Sequence, residues 1–177
     1  VMYDGSLLPF EENVRATREI VKTAHAADVP VEAEIGTVGY ADAPEGAASA
    51  CTDPEEARRF ARETGVDALA VSVGSVHRMR EQTARIRFDL VKRIEDAVSV
   101  PLVLHGSSGV PDADLVRLVQ GRFAKVNIGT ALRMAFGLTL RSEMEKHPGE
   151  FDRLRLFREP MRRVAETAVQ KMALLKG

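Results

Sequence analysis

The sequence predicts an α/β fold, specifically a (β/α)8 barrel, on three observations. Short apolar, β-branched runs alternate with longer amphipathic segments from Val1 onward, the pattern of βα units around a parallel sheet. Asp4, Glu34, His77, His105 and Asn127 fall at or near the ends of five successive runs, and in a barrel the residues at the C-terminal strand ends converge on one site. Neither a G-x-G-x-x-G fingerprint nor a Walker A sequence occurs, which weakens the case for an open nucleotide-binding sheet with its chemistry at a switch point.

Each element has a local reason. Val1 to Tyr3 reads as a strand, followed by a helix from about Pro9 to Ala26 with Glu11 and Glu12 where the helix dipole favours acids. Val31 to Ile35 is the next strand, and Gly36 to Ser49 is loop-like, rich in glycine and alanine. Thr52-Asp53-Pro54-Glu55-Glu56 is a helix start, with a capping residue, then proline and acids in the first turn, and Gly65 closes that helix after Thr64. Ala68 to Gly74 is predicted as a buried strand, with a basic segment to Arg87 and a helix from about Phe88 to Ala97 behind it. Leu102 to Leu104 leads through His105 into Gly106-Ser107-Ser108-Gly109; Pro111 opens a helix ending near Gly121. Ala124 to Thr130 is the last strand and its turn, and two or three helices follow, broken around His147-Pro148-Gly149.

Val1 to Ser6 reads as the second half of a buried strand and its turn, with no initiator methionine. Residues 1–177 are therefore expected to be the C-terminal part of a single barrel domain, about strands 4 to 8 of the eight and the C-terminal helices. Composition is that of an ordinary globular protein, 45% hydrophobic and 29% charged. A net charge of -1 gives no basic surface for nucleic acid or anionic lipid. No apolar stretch approaches a membrane span and no signal peptide opens the chain. Cys51 is the single cysteine, which excludes an internal disulfide framework and fits a reducing cytoplasm.

His77 and His105 each follow an apolar run that ends abruptly in a polar residue, so both are expected near strand tips, one strand-helix unit apart, where they could share a metal ion. Neutral imidazole suits zinc, and a catalytic zinc takes three protein ligands and keeps an open position. Each histidine alone fits a hydrogen-bonded strand end equally well. His25 and His147 are expected to be solvent-exposed and not ligands. Gly106-Ser107-Ser108-Gly109 lets backbone N–H groups approach an anion, and Asn127-Ile128-Gly129-Thr130 opens a helix whose N-terminus favours phosphate. Loops after the last two strands form the usual phosphate site of a barrel. Asp4 and Glu34 are carboxylates for the barrel mouth, with Glu32 on the same strand face as Glu34; a plain charge network along the rim remains the alternative. Arg78, Arg80, Arg85 and Arg87 read as a solvated basic loop.

Together these residues resemble the class II, zinc-dependent ketose-bisphosphate aldolases, in the branch that holds the fructose- and tagatose-bisphosphate enzymes. The resemblance rests on Val1-Met2-Tyr3-Asp4-Gly5-Ser6, Val31 to Gly36, Thr52-Asp53-Pro54, Thr64 to Ala70, Pro101 to Gly106 and Lys125-Val126-Asn127-Ile128, in that family's order. It implies that His77 and His105 are two of three zinc ligands. By the same resemblance Asp4 and Glu34 are candidate ligands of a second or displaced cation, divalent or monovalent. Gly106, Ser107, Ser108, Asn127, Ile128, Gly129 and Thr130 become the segments that bind the ketose and its phosphate. The implied reaction is the reversible cleavage of a ketose 1,6-bisphosphate to dihydroxyacetone phosphate and an aldehyde, in glycolysis or related carbohydrate metabolism. The family commonly forms dimers or tetramers.

Three departures stand beside the resemblance. No Asp-His pair occurs, so the family's acid–base aspartate and one zinc histidine are absent from these 177 residues. This stretch alone is expected to be inactive. Arg78 stands where the family usually has glycine after its second zinc histidine. The loop that usually reads Gly-Gly and then acids reads Gly39-Tyr40-Ala41-Asp42-Ala43-Pro44-Glu45, leaving Asp42 or Glu45 as candidates for its acid. Two other functions follow from these departures: a non-catalytic sugar-phosphate-binding homologue that has lost aldol chemistry, and an aldolase with a different phosphorylated substrate.

Overall fold

A computed structural model describes residues 1–44 and 49–176; Glu45 lies outside the described residues. Five parallel strands stand in sequence order in one sheet: β1 (Met2–Tyr3), β2 (Glu32–Ile35), β3 (Ala68–Val71), β4 (Leu102–Leu104) and β5 (Phe123–Val126). Between them run α1 (Phe10–His25), α2 (Pro54–Thr64), α3 (Phe88–Ala97) and α4 (Asp112–Val119). Unbroken strand order with a helix at every crossover is the arrangement of a (β/α)8 barrel, of which this is an arc.

The chain divides into two compact units, residues 1–127 and 128–177. In the first, Ala33, Leu69, Val71, Leu102 and Leu104 are fully or almost fully buried and alternate with the residues that carry the site. Phe60, Ile94, Leu115 and Leu118 from α2, α3 and α4 are equally buried. Each such side chain contributes about 1.5–3 kcal/mol by leaving water, so this core fixes the strands.

Local chemistry sets the element ends. Asp53, not Thr52, caps α2: its carboxylate accepts from the Glu55 and Glu56 amides. Thr52 is spent on the sheet instead, donating to Ile35 O at 2.6 Å and accepting from Ser72 N at 2.8 Å. Strand β3 ends at Val71, short of the predicted Gly74, because Gly74 turns the backbone to φ 106° and Val73 O accepts from Arg87 N. Ser107–Gly109 forms a short 3-10 turn.

The second unit is helical: α5 (Thr130–Lys146), α6 (Arg153–Leu156) and α7 (Arg158–Leu175), with α5 packed on α7 and Phe136 edge-on to Phe157 at 5.3 Å. The break predicted at His147-Pro148-Gly149 separates α5 from α6. Among the described residues no helix is long and apolar enough to cross a membrane.

Candidate active site

The site grows from one face of the sheet. Glu32 and Glu34 on β2 stand in register with Ala68 and Ala70 on β3, and Ala70 with Val103 on β4. Side chains two residues apart share a face, so His105, two beyond Val103, continues it. Neighbouring strands are about 4.8 Å apart, and His105 must reach past β3 to touch β2. The methyl side chains of Ala68 and Ala70 leave that space. His105 Nε2 lies 2.9 Å from Glu32 Oε1, and Nδ1 lies 2.8 Å from Glu34 Oε2. All three side chains are buried. Lys125 Nζ on β5 donates to the second oxygen of Glu32 at 2.6 Å.

Electrostatics follow from this packing. Burial pulls the His105 pKa down, but the hydrogen bonds and charges of Glu32 and Glu34 outweigh it and lift the group to about 9. Burial works against the Glu32 anion as well, yet His105 and Lys125 hold its carboxyl below the usual range. A cation enclosed by two carboxylates and braced by a lysine is a strongly bound arrangement.

His77 stands elsewhere than predicted. It lies in the loop six residues past the end of β3, not at the strand tip. A bridge to Tyr40 holds it there: His77 N donates to Gly39 O at 2.8 Å and Ala41 N donates to His77 O at 2.9 Å. The Tyr40 ring lies 4.8 Å from the His77 ring, tilted by 30°. His77 is half-buried, and burial lowers its pKa against the opposing pull of Glu34 and Asp4. The two histidine rings are 6.1 Å apart, centroid to centroid.

Arg78 adopts φ 60°, one of two non-glycine residues in the left-handed region among the described residues. That conformation costs an L-residue about 1–2 kcal/mol and persists only where surrounding contacts impose it. Here Nη1 donates to Asp42 Oδ2 at 2.8 Å and the guanidinium covers the Tyr40 ring at 5.1 Å. Arg78 is solvent-exposed, as the charge run predicted, and is engaged by Asp42 and Tyr40 as well.

The glycine-serine turn abuts the same loop. Gly106 has φ 66°, and a Cβ there would sit 2.8 Å from Val76 C and 3.0 Å from His77 N. Only glycine permits this approach. Ser107 is buried and its Oγ donates to Asn127 O at 2.6 Å, while Asn127 N donates to Leu104 O at 2.9 Å. Ser108, Gly106 and Asn127 therefore belong to one fastened segment of the first unit. Ile128 opens the second unit, where Gly129 caps α5 without a side-chain hydrogen bond and Thr130 is its first helical residue.

Asp4 folds into a local turn, its Oδ1 accepting from Ser6 N and Ser6 Oγ at 3.0 and 2.6 Å. His25 meets Asp67 at 2.8 Å with much of its ring exposed, and His147 is exposed in the second unit. Among the described residues no group of three or more histidine, cysteine or acidic side chains stands ready to hold a metal ion. Ser75 Oγ is their single buried side-chain oxygen or nitrogen without a partner. Sequence reasoning missed Lys125 and Tyr40. The signal for Lys125 was its parity with Asn127, which lies one residue past the end of the strand that carries the lysine.

A model of the class II fructose-bisphosphate aldolase family matches residues 1–177. YdjI of Escherichia coli strain K12, itself described as uncharacterized, is 40% identical over 176 residues, 98% of this chain and 62% of YdjI. The crystal structure of the YdjI aldolase from the same organism superposes with a TM-score of 0.80 at 38% identity, covering 98% of this chain and 60% of that one. A Coccidioides immitis protein whose provisional name is fructose-1,6-biphosphate aldolase gives 0.81 at 27% identity over 99% and 62% of the two chains. The chain spans about three-fifths of the length of these relatives.

Proposed function

The chain belongs to the class II fructose-bisphosphate aldolase family, and on that premise we propose that the protein is a zinc-dependent aldolase cleaving a ketose 1,6-bisphosphate, of fructose or tagatose type, reversibly to dihydroxyacetone phosphate and an aldehyde. The observation that carries the proposal is His105, set between Glu32 and Glu34 beside a glycine turn that packs on the backbone of His77.

His77 and His105 suit zinc in donor type and would supply two of its ligands, the third coming from outside these 177 residues. His77, kept neutral by burial, offers a lone pair. His105 would offer Nδ1 once zinc displaced its proton and its bond to Glu34, with Glu32 retaining Nε2 in the carboxylate–histidine–metal arrangement that fixes ring orientation. Glu34 is a carboxylate within reach of the same ring, and with Asp4 it is the candidate for a second or displaced cation. When bound, zinc supplies Lewis-acid polarisation of the ketose carbonyl and stabilisation of the enediolate.

The chain's own residues do the rest of the binding. The turn at Gly106, Ser107 and Ser108 turns backbone N–H groups toward an anion, with Ser107 locking it to Asn127. Asn127 belongs with them in the first unit; in the second, Ile128, Gly129 and Thr130 are separate phosphate-binding candidates, the last two at the start of a 17-residue helix whose dipole favours an anion. The acid–base aspartate and the third histidine are not in these 177 residues, so residues 1–177 alone bind without cleaving. They form the C-terminal part of one barrel domain, and the same reading gives a cytoplasmic homo-oligomer, dimer or tetramer.

The test pairs zinc content with dihydroxyacetone phosphate release from fructose and tagatose 1,6-bisphosphates. One zinc per subunit, with activity lost in His77→Ala and His105→Ala, supports the aldolase. Phosphosugar binding without zinc or cleavage, in the natural full-length protein, would establish instead the binding homologue that the Arg78 departure suggests.

A further inference from the structure

We propose that Arg78 is the specificity-determining residue of this site and receives a second anionic group at the far end of a phosphorylated ketose, with Asp42 holding its place until the ligand arrives. The inference rests on the aldolase reading and names the residue that would recognise the far end of its substrate.

Four observations converge. The backbone at Arg78 takes the left-handed conformation natural to glycine, φ 60°, so the side chain is retained against its backbone preference. It follows His77 directly, and His77 is bridged to the Gly39–Ala41 segment by two backbone hydrogen bonds. The guanidinium is therefore anchored at the rim beside a candidate metal ligand. Asp42 engages it through a single nitrogen at 2.8 Å. A guanidinium presents five donors in a fork suited to two-point recognition of phosphate or carboxylate, and among the described residues its other nitrogens take no hydrogen-bond acceptor. Both members of the pair are more than half exposed, at 56% and 58%, so an incoming anion can replace Asp42 without opening the core.

Tyr40 defines the direction of approach. Its ring contacts both the guanidinium, at 5.1 Å, and the His77 ring, at 4.8 Å. A ligand spanning His77 and the Arg78 guanidinium would run along this ring, with the recognised anion at the guanidinium and the carbonyl toward His77. A ketose with phosphate at one end and phosphate or carboxylate at the other has that shape. A ketose 1-phosphate ending in a hydroxyl does not meet the guanidinium's charge.

The test is equilibrium binding by calorimetry to the zinc-loaded, natural full-length protein. Ligands without a ketone carbonyl cannot be cleaved, so the probes are a hexitol 1-phosphate, a hexitol 1,6-bisphosphate and a sugar acid with phosphate at one end and carboxylate at the other. The unaltered protein should prefer one doubly anionic ligand, and which of the two responds identifies the group as phosphate or carboxylate. Arg78→Gly should lower that preference by about tenfold or more, the effect of one charge-assisted hydrogen bond, and leave the monophosphate unchanged. Glycine suits the φ at this position, so a folding defect does not account for the loss. Asp42→Asn should act oppositely and tighten the doubly anionic ligand, since the competing carboxylate is gone. Equal weakening in both variants would mean a merely structural pair and overturn the proposal, as would an unchanged preference in Arg78→Gly. Dihydroxyacetone phosphate is the control: if the unaltered protein does not bind it, the aldolase reading itself falls; if it binds but the preference is absent, only the Arg78 assignment falls.

Discussion

Glu32 and Lys125 stand on strands separated by two others, yet Lys125 Nζ is 2.6 Å from Glu32 Oε2. Three strand spacings of a flat sheet span roughly 14 Å, more than two side chains that stand upright on one face can close. The sheet must curl toward this face, and the ion pair reports the barrel curvature directly. Lys125→Met leaves Glu32 with His105 alone. The expected cost is about 1–2 kcal/mol, below the limit for a fully buried pair because water reaches the lysine end. Urea unfolding measures it; Lys125→Arg should recover part of the loss, and an unchanged midpoint in Lys125→Met would mean that the pair contributes nothing.

Ala70 is the floor beneath His105. It is fully buried, in register with Glu34 on one side and Val103 on the other. Ala70→Leu fills the space through which His105 reaches β2. Overpacking of this kind costs about 1–3 kcal/mol, and displacement of the ring from Glu34 and Glu32 should weaken zinc binding too. Unfolding together with a competitive zinc titration checks both; a variant that loses stability but binds zinc as before would show that the ring keeps its place.

Asp67 ties the N-terminal end of β2 to the loop before β3. Its Oδ2 accepts from Val31 N at 2.7 Å and meets His25 Nε2 at 2.8 Å. The Val31 amide first, and His25 second, hold this carboxyl below its ordinary 3.8. A depressed folded-state pKa stabilises the native state above the unfolded value and ceases to do so as pH falls through the folded value. Asp67→Ala should therefore cost about 1–3 kcal/mol at neutral pH, where it strands the amide of buried Val31. The difference from the unaltered protein should shrink as the pH is taken well below 3.8. Denaturant midpoints at neutral and acid pH decide it; a gap that widened on acidification would reverse the sign argued here.

Much of this arrangement was legible in the residues. Period-two alternation placed Glu32 and Glu34 on one face, and the apolar run ending at His105 placed that histidine at a strand end, because both are properties of a single strand. The location of His77 was not legible: Gly74 diverts the backbone, and the Tyr40 bridge that then holds His77 joins segments 37 residues apart in sequence. Lys125 escaped notice for a similar reason. A lysine on a strand ordinarily points to water, and its partner becomes visible only once the sheet's curvature is known. Arg78 was marked by a substitution pattern, but its strained φ and its hold on Asp42 belong to the folded chain.

Gly106 offers the sharpest test of how the two histidine loops are joined. Its φ of 66° already disfavours any side chain, and an added methyl would lie 2.8 Å from Val76 C and 3.0 Å from both His77 N and Val76 O. These are backbone atoms, held by the hydrogen bond from His77 N to Gly39 O, so they cannot turn aside as the end of a flexible side chain could. Gly106→Ala must push the Val76–His77 segment away from His105, widening the 6.1 Å between the two rings. The combined strain and lost packing should cost about 2–3 kcal/mol. Zinc affinity should fall with it, since a metal ion shared by both histidines tolerates little change in their separation. Thermal unfolding with and without zinc measures the two effects together. If zinc raised the melting temperature of Gly106→Ala as much as that of the unaltered protein, the two histidines would not be sharing one ion.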